Sequence, residues 1–296
     1  MARTCVIQCN LKNFPFGADS LPAEACRLFR SSGIRKERVN VMALYENSIP
    51  ILESDTEPVA VFMPEVLTEI KFPKKAVMLF MQDEVDEFVK EQKADIIYIF
   101  DCIPRKIPIY RVSYKGSEIC FCKTPLGGPA AVQLMELLIV QGVNQIVAAG
   151  CCGALIEDKE GAFYYPVKAV RQEGTSYQYL PPSKTVATDS VVIDAIRAAV
   201  EEAGYTGKEC ITWTTDALFR ETPDMVNKRR VEGCSVVDME CASMAACASF
   251  RHVRFGQLLF TADSLAGEEG HDTRNWAEET FSVALRLAFT AAAKLS

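Results

Sequence analysis

From Tyr110 onward, short apolar runs alternate with segments whose apolar positions recur every three or four residues. The first pattern suits strands buried in a sheet, and the second suits helices that press one face against it. Residues 119–123 read as a strand ending in Thr124-Pro-Leu-Gly-Gly-Pro129, and residues 130–141 then carry an apolar helical face at Val132, Met135, Leu138 and Ile139. Gly142 stops that helix, and a buried strand over 145–149 runs into Gly150. Further strands fall near 163–170, 210–214, 235–237 and 255–261, with helices near 190–203, 223–232, 239–250 and 274–294. Upstream, 75–81 and 83–92 give one more strand and helix. The alternation predicts an α/β fold, a central twisted mixed sheet flanked by helices on both faces in three layers.

Residues 1–58 follow no clear period and close on an acidic connection from Ile49-Pro50 to Pro58. They read as an N-terminal extension packed on a main domain of residues 59–296. No internal repeat or low-complexity segment interrupts either part.

Charge narrows the range of partners. The 296-residue chain has a formal net charge of −7. Basic clusters such as Lys228-Arg229-Arg230 are outnumbered by acids, which argues against nucleic acid or an anionic membrane surface. No apolar run approaches the ~20 residues needed to span a bilayer, and residues 1–13 lack the apolar core of a signal peptide. The 12 cysteines fall mostly in apolar strands and helices, form no C-x-x-C pair, and have only two histidines beside them. That composition predicts a reduced, cytoplasmic protein with no metal site and a small, locally recognised ligand.

In sheets of this kind, ligands bind outside the carboxyl ends of strands, and three such ends carry suggestive residues. Gly150-Cys151-Cys152-Gly153 is either a tight strand-to-helix turn or a place where backbone approaches a ligand. In Val237-Asp238-Met239-Glu240, the glutamate either favours a helix dipole or grips vicinal hydroxyls. Asp263, at the end of the apolar strand Phe260-Thr261-Ala262, is either an N-cap or a proton donor to a leaving group. A hydrolase triad finds no well-placed base.

The order of these pieces resembles the class I nucleoside phosphorylases over residues 75–295. Thr124-Pro-Leu-Gly-Gly-Pro-Ala130 is similar to the family's Gly-x-Gly-x-Pro-Ser turn, and Gly150-Cys-Cys-Gly-Ala154 to its Gly-Ser/Thr-x-Gly turn. Val237-Asp-Met-Glu-Cys-Ala242 is similar to its ribose-gripping Met-Glu pair, and Arg171-Gln-Glu-Gly-Thr-Ser-Tyr-Gln-Tyr179 to its Asp-Gly-x-Ser segment. The resemblance implies cleavage of an N-ribosidic bond with inorganic phosphate as co-substrate and no cofactor. Glu240 would hold the ribose hydroxyls and Met239 would pack on the sugar. Asp263 would protonate the departing base, which the Asp after the last strand makes a purine more than a pyrimidine. Asp238, Cys152 and Gly153 would complete the ribose and base pocket. Tyr177 and Phe219 are candidates for stacking, and Arg220-Glu221 for reading a pyrimidine edge.

The phosphate half departs from the family pattern. Met81-Gln-Asp-Glu-Val85 stands where the family has a Gly-Asp-Pro-x-Arg loop, Ala148 where it has a second arginine, and Cys151 where it has Ser or Thr beside Gly150. Arg105, eleven residues before Gly116, matches the spacing of the family arginine that reaches a neighbouring subunit's phosphate. Its place between Pro104 and Pro108 predicts an extended surface loop, and its role implies a homodimer or an oligomer of dimers. Lys123 and Arg111 are possible substitutes for the missing cations. The alternatives are a nucleosidase using water and a non-catalytic nucleoside-binding protein. The first lacks the arginine that related nucleosidases place four residues before the last Asp, since Leu259 is there.

Overall fold

The computed structural model describes residues 44–102, 105–267 and 270–296. The described residues belong to one compact unit, and residues 44–58 are part of it. The expected N-terminal extension otherwise lies in residues 1–43, outside the described residues.

A short pair, β1 (Leu44–Tyr45) and β2 (Ser54–Asp55), precedes the main sheet. The sheet strands and helices follow as β3 (Lys75–Leu79), α1 (Asp83–Gln92), β4 (Asp95–Cys102), β5 (Arg105–Tyr114), β6 (Ser117–Lys123) and α2 (Gly128–Val140). Then come β7 (Gln145–Ala154), β8 (Phe163–Gln172), β9 (Thr185–Ala187), α3 (Ser190–Glu202) and β10 (Gly207–Thr215). The chain ends with α4 (Pro223–Val231), β11 (Cys234–Asp238), α5 (Cys241–Arg251), β12 (Arg254–Ser264) and α6 (Phe281–Lys294). Strand order is β11-β10-β8-β12-β7-β3-β6-β5-β4, with β9 on β8. Parallel and antiparallel pairings both occur, so the sheet is mixed as expected.

Two apolar cores lie on opposite faces of the sheet. On one, Val85 and Phe88 of α1, Val192 and Ile196 of α3, and Ala288 and Phe289 of α6 are buried together, with Phe88 and Phe289 stacked at 4.3 Å between centroids. On the other, Leu134 and Leu138 of α2 meet Ala242, Ala245 and Ala246 of α5. The small residues of α5 let its backbone lie close to the strands. Asp189 caps α3 by accepting from the N–H groups of Val191 and Val192, and Thr222 caps α4. No helix among the described residues is long and apolar enough to cross a membrane.

Three sequence expectations need correction. The strand expected to stop at Gly150 continues as β7 to Ala154, because its end gains partners on two sides. Gly153 pairs with Asp263 of β12 and with Val237 of β11, and Ala154 pairs with Ser264 and Val236. This second pairing closes β7, β12, β8, β10 and β11 into a barrel-like ring. The run Ala148-Ala149-Gly150-Cys151-Cys152-Gly153-Ala154 has no bulky side chain to oppose that curvature.

Arg105 opens an interior strand rather than lying on a surface loop. β5 pairs with both β4 and β6, and Pro108 sits opposite Ile99, where a missing N–H removes at most one ladder bond. The last helix begins at Phe281 rather than Arg274. Arg274, Trp276 and Ala277 take φ of 49°, 53° and 54°, a left-handed backbone that an α-helix cannot contain.

Candidate functional site

Closure of the ring draws the carboxyl ends of β7, β11 and β12 together. Along β12 the register on β7 skips a residue between Thr261 and Asp263, which sets Asp263 directly opposite Gly153. A Cβ on Gly153 would stand 2.8 Å from Leu265, 2.9 Å from Val237 and 3.4 Å from Asp263 Oδ1. Only hydrogen fits there, so the backbone of β7 passes between the other two strands at the floor of the cleft.

The turn from β11 into α5 is fixed by Asp238. Its Oδ2 accepts from the N–H groups of Glu240 and Cys241 at 2.8 and 2.6 Å, and its Oδ1 accepts from the hydroxyls of Thr212 and Thr214 at 2.9 and 2.8 Å. Burial raises its pKa, and these donors work against the rise. Asp238 was expected to touch ribose or base. With four donors already satisfied inside the chain, it holds the turn instead.

Glu240 follows as the first residue outside α5 and is 5% exposed. Its Oε1 accepts from Gly127 N–H at 2.7 Å, and Gly127 takes φ of 91° to present that group. Burial, and then the charge of Asp238, push the Glu240 carboxyl up to about 8. A carboxylate so deprived of water gains more than usual from new hydroxyl donors. Met239 beside it is half-buried.

Cys151 is close enough to both Glu240 and Asp263 to feel their charge. Its side chain is exposed on the cleft yet hemmed in by protein, and burial pushes the thiol up to about 11, with the charges of Asp263 and Glu240 adding to the effect. Cys152 is buried, with its thiol raised mainly by burial. The nine described cysteines are free, and only Cys102 and Cys151 escape burial.

The loop after β8 walls one side. Glu173 Oε2 accepts from Ser243 Oγ at 2.6 Å and from Ser176 N–H at 2.9 Å, which staples the loop to α5. Arg171 is buried and donates to Ser176, Leu180, Pro181 and Ser183. Its guanidinium covers the Tyr177 ring at 4.2 Å, so one face of this stacking candidate is already occupied. Phe219 is the opposite case, 95% exposed on the 3₁₀ turn Leu218–Arg220, with Arg220 exposed beside it.

A cavity of about 370 Å³ opens at the ends of β3 and β6, lined by residues 80–84, Arg105, Thr124, Leu126 and Phe281. Arg105 therefore faces the cavity of its own chain, together with Asp83 and Glu84. Lys123 is not available to an anion here, because its Nζ is paired with Asp86 Oδ1 at 2.7 Å. Arg111 lies 3.7 Å from Asp95.

The family model described as the phosphorylase superfamily matches residues 74–294. The chain belongs to that superfamily. A guanosine phosphorylase of Halorubrum lacusprofundi is 27% identical over 155 residues, 52% of this chain and 64% of that protein, so the chain spans a little under two thirds of that relative's length. Among solved structures, purine nucleoside phosphorylase from Toxoplasma gondii in complex with immucillin-H matches 79% of this chain and 96% of its own, with TM-score 0.66 and 19% identity. An AMP nucleosidase from Bacteroides thetaiotaomicron matches 75% and 88%, with TM-score 0.58 and 22% identity. At these identities the two structures speak to the fold.

Two further residues stand at this phosphorylase-superfamily cleft: His271, which the sequence reading passed over, and Glu221, which it raised beside Arg220. His271 Nε2 lies 2.7 Å from Asp263 Oδ2. Burial, and then the Asp263 charge, push the Glu221 carboxyl up to about 7, with His271 acting against the rise. Neither residue ends a strand, and no local pattern marks them. The other histidine, His252, is only the left-handed C-cap of α5.

Proposed function

We propose that this protein cleaves the N-ribosidic bond of a nucleoside, a purine in preference, with inorganic phosphate as the attacking group. The observation that carries this reading is the convergence of the β11 and β12 ends on Gly153 of β7, which brings Asp263 and the turn that carries Glu240 to the strand end next to Cys151. Glu240, buried and short of donors, suits two vicinal ribose hydroxyls and the positive charge that develops on the sugar. Asp263, at the opposite wall, suits the nitrogen of the departing base. The exposed ring of Phe219 offers a platform for a planar base. Cys151 and Gly150 line the floor between the sugar and the attacking group, and the working unit is a homodimer.

A second reading, hydrolysis by water, is favoured by the cavity at residues 80–84. Arg105 is the one cation among its lining residues and shares it with Asp83 and Glu84. A phosphate dianion gains most from several charge-assisted donors, and carboxylates repel it. Incubating purine and pyrimidine nucleosides with and without phosphate separates the readings. Phosphate-dependent base release with ribose 1-phosphate supports phosphorolysis, and phosphate-independent release supports hydrolysis. Tight nucleoside binding without either product leaves a binding protein.

A further inference from the structure

We propose that His271 is a positioning residue for Asp263, which it holds by Oδ2 so that Oδ1 stays turned toward the cleft. The inference rests on Asp263 acting on the leaving base. The two oxygens have different neighbours: Oδ1 lies 3.4 Å from where a Cβ on Gly153 would stand, and Oδ2 meets His271 Nε2 at 2.7 Å. We assign the hydrogen of this bond to Nε2, with Oδ2 as its acceptor.

His271 is itself held in place. Ser264 and Asp272 exchange both backbone hydrogen bonds at 2.8 Å, closing a clamp one residue from each member of the pair. The N–H groups of Asn275 and Ala277 converge on Glu160 Oε1 at 2.9 and 2.7 Å, and Arg274 donates to the Asp158 carbonyl. Trp276, with its ring centroid 5.9 Å from the imidazole, backs the histidine. Glu221, Cys151 and Cys152 are near enough to feel the Asp263 charge, and burial is the main cause that raises each of them.

In the proton-transfer step, the Oδ1–H bond of Asp263 breaks and an N–H bond forms on the departing base. The electron pair remains on the carboxylate, and the hydrogen bond from His271 Nε2–H becomes charge-assisted as that charge appears. Solvent later returns a proton to Asp263.

His271→Ala should lower kcat for a cleaved nucleoside about 10- to 100-fold, with little change in KM. The same variant should leave p-nitrophenyl riboside, whose leaving group needs no proton, within about threefold of wild type. His271→Asn, which keeps a side-chain N–H, should recover much of the lost rate. Independently of turnover, ¹⁵N imidazole spectra should show the His271 signals moving on Asp263→Asn while those of His252 stay. Equal losses on both substrates, or unmoved His271 signals, overturn the proposal. A wild-type protein that releases base from no nucleoside overturns the functional reading and this inference with it, whereas the imidazole spectra judge the pair alone.

Discussion

Glu240 is a residue where stability and chemistry conflict. In an unfolded chain its carboxyl keeps the ordinary value of 4.5, whereas in the fold it titrates at about 8. Between these values the folded chain holds a proton that the unfolded chain has lost, so stability falls as pH rises from about 4.5 through 8. Each unit of difference is worth about 1.4 kcal/mol, so the destabilisation is on the order of a few kcal/mol. Glu240→Gln keeps an oxygen for the Gly127 N–H but cannot ionise. Its melting temperature should therefore pull ahead of wild type across that window, and parallel melting curves at pH 5 and pH 9 would contradict the burial argument. Above about pH 8, where the Glu240 carboxyl is ionised, the same substitution should slow turnover by a factor corresponding to ~3 kcal/mol, because a neutral amide does not stabilise a cationic sugar. At Asp263, replacement by Asn should depress turnover of natural nucleosides far more than that of substrates with activated leaving groups. Steady-state kinetics on both kinds would show equal losses if Asp263 only shapes the wall.

Among the elements, the β11–α5 turn gathers four buried polar groups on a single side chain. Asp238→Ala would strand two threonine hydroxyls and two backbone N–H groups away from water. Each unpaired group costs about 1–3 kcal/mol, so denaturant unfolding should register a loss of at least ~3 kcal/mol. A loss under 1 kcal/mol would mean that the turn is held by something else. From β6 onward the strands and helices other than the short β9 were legible in the sequence, because their burial alternates with a period that apolar residues report directly. β4 and β5 were not: Pro104 and Pro108 argue against a strand, yet pairing on both sides of β5 outweighs one missing donor. The end of β7 was illegible for a related reason, since its second pairing comes from β11, far along the chain. Glu240 and Asp263 were picked out because they stand at or just beyond strand ends within a family-like order of motifs. His271 was not, because it reaches the cleft from an irregular segment whose path depends on distant anchors such as Glu160.

At the scale of the whole molecule, the arrangement of Arg105 bears on assembly. It lines the cavity of its own chain, whereas the family pattern has the arginine serving a neighbour. If the cis arrangement operates, mixed oligomers of Arg105→Ala and Glu240→Ala should remain inactive, because every site lacks one group or the other. Regained activity after demonstrated subunit exchange would place the arginine across the interface. The closed ring of five strands has a mechanical consequence of its own. An open sheet can admit a ligand by splaying at an edge, but a hoop of strands resists being spread and transmits load around its circumference. The rim built from Gly153, Val237 and Asp263 is therefore a rigid seat, and any adjustment to ligands of different size falls to the segments that project from it, those carrying Phe219 and His271. Amide hydrogens of β7 and β12 near that rim should accordingly be among the slowest to exchange, with or without ligand, while those of the projecting segments slow only on binding.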